Sequence, residues 1–224
     1  TALITIVAVF MYTFSFKNLI KNLAIINLKN KKHGFHLYLG QISDQIIYKS
    51  DELMISFFIG NSELGLYKIA NSLTQPLSLL PKNYSLLKFK IYSKSKCVSA
   101  NESTNLLMII LSMLILGSIG IYVAMTFFYS NEFFNALYVA YILIFAVTLN
   151  SSYQLHNKFL GAKSMGKFLK RISFKMMSIN FIGNLIMIPF FGAIGAAIAS
   201  LVAMLTYMLF IFKDYNKYLS NKLK

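Results

Sequence analysis

The chain has one cysteine, three prolines and only seven acidic residues among 224. The lone Cys97 rules out a disulfide framework, and no CxxC or paired Cys/His spacing offers a metal site. Three prolines and eleven glycines rule out a collagen-like or low-complexity chain. Charged residues make up 13%, against about 25% in an ordinary soluble domain. The three histidines, His33, His36 and His156, are scattered, so no Ser/His/Asp or Glu/His constellation is available for acid–base work. No enzyme and no cofactor are expected. No basic stretch precedes the first apolar residues, which argues against a signal peptide.

What the chain has in quantity is apolar sequence. It is 57% hydrophobic with a mean hydropathy of +0.60. Six runs, 37–59, 64–84, 105–129, 133–155, 172–190 and 193–212, are read as transmembrane helices. Residues 1–16 are also apolar, but at ~24 Å they fall short of a ~30 Å hydrocarbon core. They are read as the inner end of a span whose start is missing, which makes the chain a fragment. Segments 17–36, 82–104, 158–175 and 213–224 hold 20 of the 22 lysines and arginines. The alternate turns, 60–63, 130–132 and 191–192, hold none. This is the positive-inside pattern, so the basic segments and the C-terminus face the cytoplasm. The net charge of +15 is thereby a topology signal, with membrane lipids rather than nucleic acid as the partner. Residues 17–36, with five lysines among Leu, Ile and Ala, suit either a helix on an anionic membrane surface or a plain cytoplasmic linker.

The remaining charge is the informative part. Span 37–59 contains Asp44, Lys49, Asp51 and Glu52, and each charge at the bilayer centre costs on the order of 3 kcal/mol. At ~100° per residue, Gln41, Gln45, Tyr48 and Glu52 form one line. Asp44 and Asp51 flank it on one side and Lys49 on the other. Leu39, Ile42, Ile46, Leu53 and Phe57 lie opposite. The polar face must look into protein or a water-filled cavity. It marks either a transport pathway or ion pairs that hold helices together, with Lys49 reaching Glu52 one turn on. Span 64–84 carries a second polar stripe, Lys68, Asn71, Ser72 and Gln75, continued by Ser78 and Lys82, and Pro76 interrupts it. The candidate substrate or ion pathway is therefore Lys49, Asp51, Glu52, Asp44, Gln45, Lys68, Asn71 and Gln75. On these two helices' midsections two lysines face three acids, a balance that would repel a phosphate. In the last two spans, Gly192, Ala196 and Ser200, and Gly195, Ala199 and Ala203, recur every four residues and allow close helix approach. Ser173, Asn180 and Asn184 share a face and are read as interhelical glue.

Three stretches resemble a known family. SDELMISFFIGNSELGLYKIANSLTQPLSLLP (50–81) is similar to the polysaccharide-flippase segment marked here by Asp51, Gly60, Gly65, Tyr67 and Ala70. INFIGNLIMIPFFGAIGAAIAS (179–200) resembles that family's signature through Asn180, Asn184, Pro189, Gly192, Gly195, Ala196, Ala197 and Ala199. KFLGAKSMGKF (158–168) is similar to its short cytoplasmic link. The family is the polysaccharide transporter branch, Wzx-type O-antigen and capsule-unit flippases, of the multidrug/oligosaccharidyl-lipid/polysaccharide exporter superfamily. The resemblance implies an all-α integral membrane fold of two six-helix lobes around a central cavity. This chain would be the C-terminal lobe plus the end of one preceding helix, with the N-terminal lobe as a missing partner. It also implies alternating access for a polyprenyl-pyrophosphate-linked oligosaccharide in a bacterial inner membrane, driven by a coupling ion, proton or sodium. Lys49 and Lys68 would meet phosphate, and Asp44, Asp51 and Glu52 would carry the ion, since burial raises a carboxyl pKa. A multidrug or cation exporter of the same superfamily and a non-transporting fragment are the alternatives. A membrane enzyme on the same lipids is disfavoured by outer turns of only a few residues.

Overall fold

A computed structural model describes the backbone from Leu28 to Lys222 and the side chains of residues 34–220 apart from 41 and 43–48. The expected span 1–16 and the first part of the linker 17–36 lie outside the described residues. Within them the chain is all-helical, an integral membrane fold with no strand. The order is α1 (Leu28–Phe58), α2 (Asn61–Thr74), a 3₁₀ turn (Gln75–Ser78), α3 (Leu79–Leu87), α4 (Phe89–Lys94), α5 (Ala100–Phe128), a second 3₁₀ turn (Asn131–Phe133), α6 (Ala136–Ser152), α7 (Gln154–Ala162) and α8 (Gly166–Lys222). Helix α5, the α6–α7 pair and α8 are each long and apolar enough to cross a membrane.

Each element follows from local chemistry. Pro76 has no N–H to give, so span 64–84 breaks into α2, a 3₁₀ turn with the proline in its first turn, and α3. Helix α5 starts at a capping box in which Ser99 and Glu102 exchange side-chain and backbone bonds. Its buried stripe, Leu106, Ile110, Met113, Gly117, Ile121 and Met125, faces the core. Leu107, Leu111, Ile115, Leu116 and Ile119 are as apolar and face outward, as expected of a helix wetted by lipid. The basic segment 158–175 is not a loop. Helix α7 runs to Ala162, Met165 N–H bonds back to the Leu160 carbonyl and Ser164 takes a φ of 62°, the geometry of a C-terminal cap that turns the chain straight into α8. The tail after 212 is likewise helical to Lys222, and the linker is helical from Leu28. A long lysine stem can cover apolar surface while its head reaches water, so a basic composition does not preclude helix.

Helix α8 is two antiparallel arms, 166–191 and 193–222, joined at Gly192. That residue sits at φ 54°, ψ −132°, a backbone shape that an L side chain rarely adopts. Glu63, in the first turn of α2, accepts the Ala193 N–H at 3.0 Å and so caps the second arm, where the helix dipole favours a carboxylate. The arms touch through small residues: Gly183 meets Ala199, and Gly195 lies on the backbone of Met187. Two apolar clusters fill the bundle. The outer one holds Ile55, Tyr67, Ala70, Ile144, Ile188 and Ala196, and the inner one holds Tyr92, Tyr153, Phe159, Leu160, Tyr207 and Ile211. At the inner end Tyr92 Oη donates to Glu102 at 3.0 Å, and Lys88 pairs with the same carboxylate at 3.3 Å. Burial, with Glu102 beside it, holds the Tyr92 phenol above its ordinary pKa, so it stays a donor.

A Cβ at position 195 would run into the Met187 carbonyl, whereas one at position 65 meets open space. Gly195→Leu should therefore lower the unfolding free energy of the protein in detergent, by about 3 kcal/mol. Gly65→Ala should leave it unchanged or raise it by up to about 1 kcal/mol. Equal effects of the two, measured by thermal unfolding, would contradict the hairpin.

Candidate functional site

The inner half of the bundle contains a cavity of about 660 Å³. The polar face of α1 opens onto it with His36, Lys49 and Glu52. Opposite, Asn71, Gln75, Ser78 and Lys82 form one stripe that runs through the proline break, and Gln75 Nε2 donates to Asn71 Oδ1 at 3.1 Å. The third wall is Asn150, Gln154, Asn157 and Lys158, spaced one helical turn apart across the α6–α7 junction. There Asn150 Oδ1 accepts from Tyr153 Oη at 2.6 Å and Gln154 Nε2 at 3.2 Å. Helix α8 closes the ring with Lys170 and Ser173 from one arm and Tyr207 from the other. The cavity lies at the end of the bundle that carries the basic segments, with Lys82, Lys158 and Lys170 in its lining.

Its electrostatics differ from the balance expected from two helices. Among the described residues four lysines, Lys49, Lys82, Lys158 and Lys170, line it against one acid, Glu52. Glu52 is shared: Lys49 Nζ lies 3.5 Å from one oxygen and Lys68 Nζ 3.7 Å from the other. Both lysine side chains are more than half exposed, at 73% and 55%, so these pairs are weak tethers that leave the amines mobile. Lys68 does not line the cavity and reaches it only through Glu52.

Asp51 departs from the expected shared face. It is fully buried and does not line the cavity. Two residues along a helix are about 160° apart around the axis, so Lys49 and Asp51 point to opposite sides. Asp51 enters the seam between α1, α2 and the two arms of α8. Tyr67 Oη and Ser200 Oγ each donate to Oδ2 at 2.9 Å, and Asn184 Nδ2 donates to Oδ1. Asn184 also donates to Asn180 Oδ1 at 3.1 Å, and Asn180 donates to Ser200 Oγ at 3.2 Å. Asn184 Oδ1 is buried without a partner. All five residues are at most 4% exposed. The asparagine pair read as glue is thus joined to the carboxylate read as pathway.

Of the expected site residues, Lys49, Glu52, Asn71 and Gln75 are brought together at the cavity, Lys68 is tethered to it, and Asp51 is in the seam. The side chains of Asp44 and Gln45 lie outside the described residues. Sequence reasoning missed Lys158 and Lys170, whose charge was absorbed by the topology signal. It also missed Asn150, Gln154 and Asn157, although their i, i+4, i+7 spacing is the mark of one helix face.

No protein-family profile matches the chain, and no curated protein matches it. Among solved structures it is similar to a MOP superfamily transporter from Pyrococcus furiosus, whose binding pocket of reversed polarity suggested a different function for that protein. The likeness is one of fold: 17% identity and a TM-score of 0.62 over 79% of this chain. It covers 42% of the solved protein, so the chain spans less than half the length of the transporter it matches.

Removing Asp51 strands three buried donors at about 1–3 kcal/mol each, whereas removing Glu52 loses only exposed pairs worth about 1 kcal/mol or less. Asp51→Ala should therefore lower the melting midpoint sharply and Glu52→Ala barely. A thermal scan in which Glu52→Ala is the more damaging would reverse these assignments.

Proposed function

We propose that this chain is the C-terminal lobe of a membrane exporter that moves a polyprenyl-pyrophosphate-linked oligosaccharide, such as an O-antigen or capsule unit, to the outer leaflet by alternating access. The carrying observation is the cavity lined, among the described residues, by four lysines and one glutamate. Lysine is a mobile point charge that suits phosphate oxygens. The amides of Asn71, Gln75, Asn150, Gln154 and Asn157 offer donors and acceptors for sugar hydroxyls. The volume, about 660 Å³, lies within the range of small-ligand sites and accommodates a headgroup with its first sugars. An N-terminal lobe would complete the chamber, in keeping with a match to 42% of the solved transporter's length. The motifs at 50–81 and 179–200 support the polysaccharide branch, and the setting is a bacterial inner membrane. Four lysines are a poor lining for a cation exporter, since like charges repel the cargo.

The coupling ion, proton or sodium, is assigned to Asp51, where Asn184 Oδ1 stands unpartnered beside the carboxylate. The missed lysines Lys158 and Lys170 join Lys49 and Lys82 as headgroup contacts, and Glu52 holds Lys49 and Lys68 in place between cargoes.

In a strain lacking its own flippase, full-length protein with Lys82→Ala or Lys49→Ala should restore surface polysaccharide about tenfold less well than wild type, the effect of one lost ~1.4 kcal/mol contact. Wild-type polysaccharide from well-expressed variants would refute the cavity assignment. Sodium should raise the melting midpoint of wild type but not of Asp51→Asn if sodium is the ion. A sodium-independent midpoint that rises with falling pH in wild type alone assigns the proton, and no response to either removes the ion site.

A further inference from the structure

Helix α8 enters the membrane with a second concentration of charge outside the cavity. Lys167, Lys170, Arg171 and Lys175 fall at i, i+3, i+4 and i+8, on one side of the helix. With Phe174 and Ser178 they line an outward-facing groove of about 510 Å³. Among the described residues none of the four cations is paired with a carboxylate. Two of them rest on rings instead: Lys170 Nζ is 5.9 Å from the Phe174 centroid and Lys175 Nζ 4.8 Å from that of Phe210. The groove is therefore not a helix terminus alone, since it runs from Lys167 to Ser178, about 16 Å along the helix.

Its two ends differ in character. The cations sit at the inner boundary. Phe174 stands among them, and beyond them Phe181 and Leu185 continue the same helix face, at i+7 and i+11 from it, all exposed and apolar. Charge at the water edge followed by an apolar track reproduces the profile of one lipid molecule, phosphate first and acyl chain next. Lys170 lines both this groove and the cavity, so the two share a wall.

We propose that the groove on the first arm of α8 is a binding site for an anionic phospholipid of the inner leaflet. Its phosphate is held by Lys167, Arg171 and Lys175, and an acyl chain lies along Phe174, Phe181 and Leu185. The cations converge on the phosphate as charge-assisted donors, with Arg171 able to engage two oxygens at once. The proposal does not depend on the cargo of the cavity.

The test is lipid retention by the full-length protein in detergent, read by native mass spectrometry. The probes are phosphatidylglycerol and phosphatidylcholine with identical acyl chains, and inorganic phosphate as a competitor. Wild type should retain phosphatidylglycerol at least about fivefold over phosphatidylcholine, and excess phosphate should not displace it. The triple variant Lys167→Gln, Arg171→Gln, Lys175→Gln should bring the ratio close to one. The tail variant Lys213→Gln, Lys217→Gln, which removes inner charge elsewhere, should keep it. Arg171→Gln alone should give a partial loss and covers the case of a triple variant that does not fold. Equal retention of the two lipids, displacement by phosphate, or equal losses from groove and tail variants would overturn the site. The readout is binding, so a failed export assay leaves it standing.

Discussion

A carboxylate with no access to water has to be met by donors, and Asp51 obtains them from three directions. Tyr67 reaches it from α2, Asn184 from the first arm of α8 and Ser200 from the second. These groups lie 16, 133 and 149 residues away in sequence. In a hydrocarbon setting the alternative to each bond is an unsatisfied polar group, so the knot fixes the mutual position of three elements more firmly than apolar contact does. Apolar contact gives little direction here, because lipid tails compete for the same surfaces. The small residues of α8 follow from the same requirement. Asn180 and Ser200 can bond across the hairpin only because Gly183 and Gly195 let the two arms come together.

With the knot holding the middle and the Glu63 cap holding the outer end, the inner ends of the helices are free to diverge. The cavity is the space between them. Each wall brings a polar stripe to it, the part of each helix that lipid would not accept, set among apolar residues such as Leu37, Phe89 and Met204. The lysines gather there for a related reason. An amine on a long stem at the inner boundary can serve the topology rule and still reach inward, and Lys158 and Lys170 do so.

Much of this was legible in the sequence. The long apolar runs, separated by basic segments, were legible as an all-helical membrane fold. The every-fourth-residue pattern of glycine, alanine and serine marked the helix pair that packs tightly. Lys49, Glu52, Asn71 and Gln75 were legible as one polar lining because their spacing is a property of each helix alone. The side on which Asp51 falls was not, since a polar arc wider than one face can serve two environments and only the neighbours decide which. Nor was the sign of the cavity's field. It depends on Lys82, Lys158 and Lys170, which belong to separate helices that only the folded bundle brings around one space. The helical nature of the tail and of the 158–175 segment was hidden by their lysine content, which reads as exposed and says little about conformation.

The break at Pro76 carries a mechanical consequence. In the run from Asn61 to Leu87 the regular bonding ladder is interrupted at Gln75–Ser78, so bending stiffness there is lower than in either flanking rod. The upper rod is pinned at the knot through Tyr67. The lower rod bears Lys82 and leads into the short helix α4. With such a joint a tilt of the lower rod would move the cavity lining without disturbing the pinned end, whereas a continuous helix in its place would move both together.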